Sequence, residues 1–194
     1  MKSNHSEEFE DAESGSSPQD LVLQAQNELP YGTAAFRQLV ERYTGRVYRR
    51  AVRLVGSVQD AEEVTQDVFL RIFRSIKQYS PEQSFEHWLL TIATNSALNL
   101  LRTRYRETRK QAAYVESRRA SNSAFEETNV EHKLTLDRAL ATLDPTTRTA
   151  ISLRFLEAQT YSEIAVQLDM TQSAVKMRVH RGIEQLRMNL AEDD

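Results

Sequence analysis

Cysteine is absent from the 194-residue chain, which removes disulfide frameworks, thiolate zinc sites and cysteine nucleophiles together. Glycine (5) and proline (4) are scarce, so turn-rich all-β architectures lack the punctuation they need and helices are favoured. No apolar run approaches the ~18 residues of a membrane span. The N-terminal MKSNHSEEFEDAESGSS is acidic and has no apolar stretch of the kind a secretory signal carries. A cytoplasmic protein without membrane insertion is therefore expected. Catalytic spacing is missing as well. His5, His87, His132 and His180 are not placed as paired metal ligands and there is no glycine-rich phosphate loop, so neither an enzyme, a metal nor a cofactor is expected.

The chain carries charge in unequal blocks. Its net charge is −3, yet residues 1–20 hold one Lys against six acids, too polar a stretch to fold alone and expected to be a disordered acidic tail. Residues 102–119 hold seven Arg or Lys against Glu107 and Glu116, and residues 171–190 hold Lys176, Arg178, Arg181 and Arg187 against Glu184 alone. Two basic segments on an acidic chain bear on partners more than the total does.

Apolar residues recur at three and four along Phe36, Leu39, Val40, Tyr43 and Val47, again from Val64 to Ile76, and again from Trp88 to Leu101. Each run predicts an amphipathic helix. The breaks are GSVQD, where Ser57 and Asp60 can cap, and YSPEQS, where Pro81 stops the preceding helix. Helices are predicted over roughly 21–28, 33–55, 59–78 and 84–107. Residues 108–130 lose the period and read as a linker with transient helix, and the period returns from Leu134 to open a second helical domain over 131–194. The fold class is all-α, two small helical domains joined by a flexible linker.

The most specific local signal is TYSEIAVQLDMTQSAVKMRVHRGI, residues 160–183. Thr160 and Glu163 form a capping box, Asp169 and Met170 make a turn, Thr171 caps a second helix, and Ala165, Val175 and Val179 hold the two helices at the angle of a helix-turn-helix. With both valines inward, Ser173, Lys176, Met177, His180 and Arg181 point outward. Lys and Arg suit guanine acceptors and phosphates, Ser adaptable hydrogen bonding, and Met a thymine methyl. A helical hairpin with a merely solvated basic face is the blander alternative.

Two further segments carry chemistry less specifically. YSPEQSFEHWLLTIATNSALNLLRTRYR places Trp88, Ile92, Asn95 and Asn99 on one stripe near Arg102, a pattern suited to single-stranded nucleic acid. Taken alone it is read more simply as packing, with Trp88 in the core. DAEEVTQDVFLRIFRSIKQ has acids early and Arg71, Arg74 and Lys77 late. Matching of the helix dipole accounts for that polarity, and an exposed acidic face for a basic partner is the sharper reading.

DAEEVTQDVFLRIFRSIKQY followed by SFEHWLLTIATNSALNLLR resembles region two of the extracytoplasmic-function sigma factors of bacterial RNA polymerase, and LDPTTRTAISLRFLEAQTYSEIAVQLDMTQSAVKMRVHRGIEQLR resembles their region four. The likeness covers about residues 21–107 and 131–190 in the family's order. It implies a non-enzymatic initiation factor that directs core polymerase to promoters and assists melting. Glu63, Gln66, Asp67, Phe69, Leu70 and Phe73 would bind the clamp coiled coil of core polymerase. Tyr79, Ser84, Phe85, Asn95, Asn99 and Arg102 would open and read the minus-ten element as a single strand. Gln172, Ser173, Lys176, Met177, Arg178, His180 and Arg181 would read the minus-thirty-five element as duplex. The flap of the polymerase and an anti-sigma factor complete the expected partners, and the linker would run toward the active-site and RNA-exit channels. Asp144 before Pro145, Asp169, Asn99, Met177, His180 and Gly182 depart from the usual pattern or fall where members vary, so the promoter sequence does not carry over. The alternative is a helix-turn-helix regulator with a helical effector or dimerisation domain.

Overall fold

The computed structural model describes residues 17–82, 84–118 and 139–191. The acidic residues 1–16, the later part of the expected linker and the residues from 131 to 138 lie outside it. Among the described residues every regular element is helical: α1 (Pro18–Glu28), α2 (Ala34–Val55), α3 (Val58–Ser75) with a 3-10 turn at Ile76–Gln78, α4 (Phe85–Arg118), a helical stretch α5 at residues 139–141, α6 (Pro145–Phe155), α7 (Tyr161–Leu168) and α8 (Gln172–Ala191).

Local chemistry sets the ends. Ser17 and Asp20 form a capping box before Pro18, so α1 begins inside the stretch expected to be tail. Thr33 offers α2 no side-chain cap; the Glu28 carboxylate at the end of α1 accepts from the Ala35 N–H at 3.0 Å instead. Gly56, at φ 75°, closes α2 in the left-handed conformation and donates to the Val52 carbonyl at 2.8 Å. Ser57 caps α3. Asp60, the other expected cap, is instead buried in the first turn and ion-paired with Arg104 of α4. α4 runs past residue 107 to Arg118, into the expected linker, because nothing between is a helix breaker and Ala112 and Ala113 favour continuation.

The first unit packs α2 against α1, α3 and α4. Its core takes Leu39, Val47, Ala51 and Leu54 from α2, Val64, Val68 and Ile72 from α3, and Leu89, Ala93 and Ala97 from α4, all buried. A side chain such as Leu39, fully buried, contributes roughly 1.5–3 kcal/mol, which is what sustains helices that are marginal alone.

In the second unit α8 crosses α6 and α7. Asp144 caps α6, accepting from the N–H groups of Thr146 and Thr147 at 3.1 Å. Gly182 permits the close crossing of α8 on α6: a Cβ there would stand 2.5 Å from Thr147 Cγ2 and 2.7 Å from Ile151 Cδ1.

The units also meet one another, through α2 and α4 on one side and α6 and α7 on the other. The contact is largely polar. The Arg50 guanidinium, 4% exposed, donates to Thr94 Oγ1 (3.1 Å), to Gln167 Oε1 (3.3 Å) and to Glu157 Oε2 (3.1 Å). Arg53 reaches the other Glu157 oxygen at 2.5 Å, and Arg148 donates to the Val55 carbonyl at the end of α2 at 2.8 Å.

Candidate nucleic-acid and polymerase interfaces

The helix-turn-helix forms as its residues dictate. Thr160 Oγ1 accepts from the Glu163 N–H at 3.2 Å while Glu163 Oε2 accepts from the Thr160 N–H at 2.7 Å. These bonds hold the Glu163 carboxyl below its usual pKa, the Thr160 hydroxyl being the main cause. Asp169 takes φ 52°, which returns the Met170 N–H to the Ala165 carbonyl at 2.9 Å, and the Thr171 hydroxyl accepts from the Ala174 N–H at 3.2 Å. Val175 and Val179 are buried.

On the outer face of α8, Gln172, Ser173, Lys176, Met177, His180 and Arg181 are all exposed. Lys176 stands 5.8 Å from the centre of the Tyr161 ring, which steers its stem, and His180 pairs with Glu184 at 3.2 Å. Arg178, named with them as a minus-thirty-five residue by the family resemblance, does not share that outward face. Its guanidinium turns back to Asp144 Oδ1 at 3.3 Å and Thr147 Oγ1 at 3.4 Å, because position 178 follows the crossing side of the helix beside Val175 and Val179. It ties the helix to the cap of α6.

In the first unit the expected single-strand residues separate into different environments. Tyr79 and Phe85, expected at the extruded base, are 6% and 3% exposed and belong to an aromatic cluster. Phe85 meets Tyr43 at 5.4 Å and Tyr79 at 5.6 Å edge-on, and burial raises the Tyr43 and Tyr79 phenols above their usual pKa. They are placed there because the segment before α4 folds back over the bundle end, where Gln26 Nε2 donates to the Tyr79 carbonyl at 3.0 Å. Trp88, expected in the core, is only half-buried. It leans on Tyr79 at 5.1 Å and shares an open groove with Ile92 and Asn95 of α4 and with Arg71, Arg74 and Gln78 of the facing element. Tyr79 and Phe85 are thus buried and Trp88 partly exposed, the reverse of the burial expected for them.

Asn99 is exposed, but in a separate recess with Glu63, Asp67, Arg71 and Ser96. Arg102 is exposed and donates to Thr146 Oγ1 of the second unit at 3.3 Å. Ser84, exposed at the start of α4, accepts from the Trp88 N–H at 3.1 Å through its carbonyl. Arg71 and Arg74 were not anticipated as groove residues. Their spacing of three beside Gln78 was visible, but dipole matching already explained it and only the α3–α4 crossing gives them Asn95 as a neighbour.

On α3, Glu63 and Gln66 are exposed and Asp67 half-buried, with the Asp67 carboxylate accepting from Arg71 Nε at 2.6 Å. Leu70 is 55% exposed. Phe73 is 38% exposed and packs edge-on against Phe36 at 5.3 Å, and Phe69 is partly buried against the core. Among the described residues no cluster of three or more His, Cys, Asp or Glu could hold a metal ion, and no helix is long and apolar enough to cross a membrane.

Comparison with known proteins bears on the whole arrangement. Residues 39–107 match the model of sigma-70 region 2, and residues 139–188 that of sigma-70 region 4. The chain is 36% identical over 178 residues to the ECF RNA polymerase sigma factor SigE of Mycolicibacterium smegmatis, covering 84% of this chain and 68% of that protein. It is 32% identical over 158 residues to the RNA polymerase sigma factor CarQ of Myxococcus xanthus, covering 81% and 90%. The structure of CnrH in complex with the cytosolic domain of CnrY resembles it at a TM-score of 0.59 and 26% identity, over 91% of this chain and 98% of that one. The fold is shared with the sigma factor RpoE of Bartonella quintana, solved with the anti-sigma factor NepR, at a TM-score of 0.53 and 21% identity over 82% and 98%.

Proposed function

The chain belongs to the extracytoplasmic-function sigma factors of RNA polymerase, and we propose that its three surfaces divide the work of promoter recognition. Core polymerase is held by the outer face of α3, where Glu63, Gln66 and Asp67 present acid and amide groups beside the exposed Leu70 and Phe73. A basic groove-lined or helical surface of the polymerase clamp complements that mixture of charge and apolar area. The exposed residues of α8 read the upstream element as duplex, through the major groove. Contact with the flap and capture by an anti-sigma factor are part of the same reading, as is a cytoplasmic place of action beside the polymerase. The chain supplies no covalent step, since phosphoryl transfer belongs to the polymerase.

The observation that carries the single-strand role is the groove between α3 and α4. Trp88 offers a ring for stacking, Asn95 a donor and an acceptor for a base edge, and Arg71 and Arg74 cations for the adjoining phosphates. Unstacking a base costs a few kcal/mol, which such contacts can offset. Tyr79 and Phe85 serve this site from beneath, by fixing the Trp88 ring. The domain division into a region-two unit, a linker and a region-four unit follows the same assignment. Reconstitution with core RNA polymerase tests it. Promoter-specific transcripts dependent on the added chain are expected, and their absence with an intact, folded chain would remove the initiation role.

A further inference from the structure

Along one face of α2 stand Arg46, Arg49, Arg50 and Arg53, at spacings of three, one and three. The face spans about 10 Å at the helical rise of 1.5 Å per residue. Together with Glu86 and Leu90 of α4 and Glu157 from the loop between α6 and α7, they line one recess. Four guanidiniums there face two carboxylates. Arg46 pairs with Glu86 at 2.6 Å, whereas Arg50 and Arg53 share the single carboxylate of Glu157 at 3.1 and 2.5 Å. Arg49 is exposed and has no ion pair among the described residues. The Arg50 Nε–H is buried without a hydrogen-bond partner, so even the docked state leaves this cation short of acceptors.

The second carboxylate is the informative one, because it belongs to the other unit. Glu157 is set by a strained loop: Ala158 takes φ 53°, Arg154 Nη1 donates to the Gln159 carbonyl at 2.8 Å, and Gln167 Nε2 donates to Gln159 Oε1 at 3.1 Å. When the two units part, Glu157 and Gln167 leave with the second unit, and four arginines remain against Glu86 alone. We propose that the α2 arginine stripe is a binding site for the phosphate backbone of nucleic acid, and that Glu157 occupies it as a phosphate substitute while the units are docked. A row of forked, planar donors suits successive phosphates better than it suits one small anion, and once Glu157 has left, the stripe runs along one helix face. The inference rests on the sigma-factor reading only in taking nucleic acid as the polyanion. Parting of the units and exposure of the stripe are then one event, so docking suppresses nucleic-acid binding and binding favours separation.

The test uses the full chain and an oligo-dT strand, which carries no promoter sequence, so its result is independent of promoter-dependent transcription with core polymerase. The lack of cysteine allows paired dyes at Glu41→Cys and Val166→Cys, both exposed and on opposite units. Removing this charge-assisted bond is expected to shift the docking equilibrium roughly tenfold or more. Glu157→Gln is therefore expected to lower energy transfer between the dyes and to tighten oligo-dT binding by up to about tenfold. Gln167→Ala should do the same in smaller measure without changing charge, while Glu62→Gln, an exposed charge control on α3, should change neither reading. Adding Arg49→Ala to Glu157→Gln should weaken binding again and reduce the salt dependence, log K against log salt, by about 0.7. Separation of the units without tighter binding would show that the stripe is not a nucleic-acid site. Tighter binding without separation would show that Glu157 does not act through docking, and no change in either reading would overturn both statements.

Discussion

The Arg50 guanidinium on α2 lies 3.3 Å from the side-chain oxygen of Gln167 on α7, a residue 117 positions later in the chain. One side chain thus joins the unit assigned to the opened strand to the short first helix of the helix-turn-helix. Burial lowers the Arg50 pKa from the usual arginine value and the Glu157 carboxylate opposes that shift, so the cation is retained by its partners and not by solvent.

Replacing Arg50 by Ala should therefore do more than remove a contact. It removes a buried donor from Thr94 and Gln167, leaving Gln167 Oε1 only the Thr94 hydroxyl at 3.2 Å, and frees Glu157 to hold Arg53 alone. A loss of about 2 kcal/mol is expected, read as a lower midpoint in denaturant unfolding of the full chain. An unchanged midpoint would mean that the polar contact between the units adds nothing to stability.

Among the arginines and lysines of α8, Lys176 and Arg181 face outward whereas Arg178 is held by Asp144, and different effects are expected of them. Lys176→Ala or Arg181→Ala should weaken upstream binding and relax preference at individual bases, by about 1–3 kcal/mol for a bidentate contact. Arg178→Ala should lower thermal stability of the second unit, because it breaks the tie to Asp144, and should weaken all upstream sequences alike. Binding measured across a set of single-base promoter variants distinguishes the two patterns.

Asn95→Ala should slow or reduce promoter opening by holoenzyme while leaving binding to core polymerase intact, since Asn95 lies in the groove and not on the outer face of α3. Arg74→Ala should also reduce opening, with a smaller effect at high salt, where screening has already weakened the phosphate contact. Permanganate reactivity of unpaired thymines reads both. Normal opening by both variants would assign the strand elsewhere.

Gly182→Ala tests the helix crossing. Its Cβ has no room beside Thr147 and Ile151, so α8 must shift on α6. Overpacking of this kind costs about 1–3 kcal/mol, and the displaced recognition helix should lose upstream-element binding beyond the loss explained by unfolding. Calorimetry alongside promoter binding gives both quantities.

The capping box gives a pH dependence with a definite sign. The folded-state pKa of Glu163 is depressed, so its contribution is present above the ordinary carboxylate value of 4.5 and is lost as pH falls below it through the folded-state value. Glu163→Gln should flatten that part of the acid limb in a stability-versus-pH series on the full chain. An acid limb identical to wild type would assign the loss to other carboxylates.

What the sequence by itself determined is local. Periods of three and four, Ser57, Thr160 and Glu163 as caps, Gly56 as a stop and Val175 with Val179 as the inward face of α8 are set by interactions within a few residues, and the helix-turn-helix followed from them. Tertiary structure decided what depends on partners distant in the chain. Tyr79 and Phe85 became core and Trp88 became groove because the segment before α4 folds over Tyr43, thirty-six positions before Tyr79. Arg178, expected to read the duplex, is held against Asp144 because the α6 cap lies within its reach. The four arginines of α2 read along the chain only as a polar helix face; their meeting with Glu157 arises where the two helical units touch, and no periodicity encodes a contact of that separation.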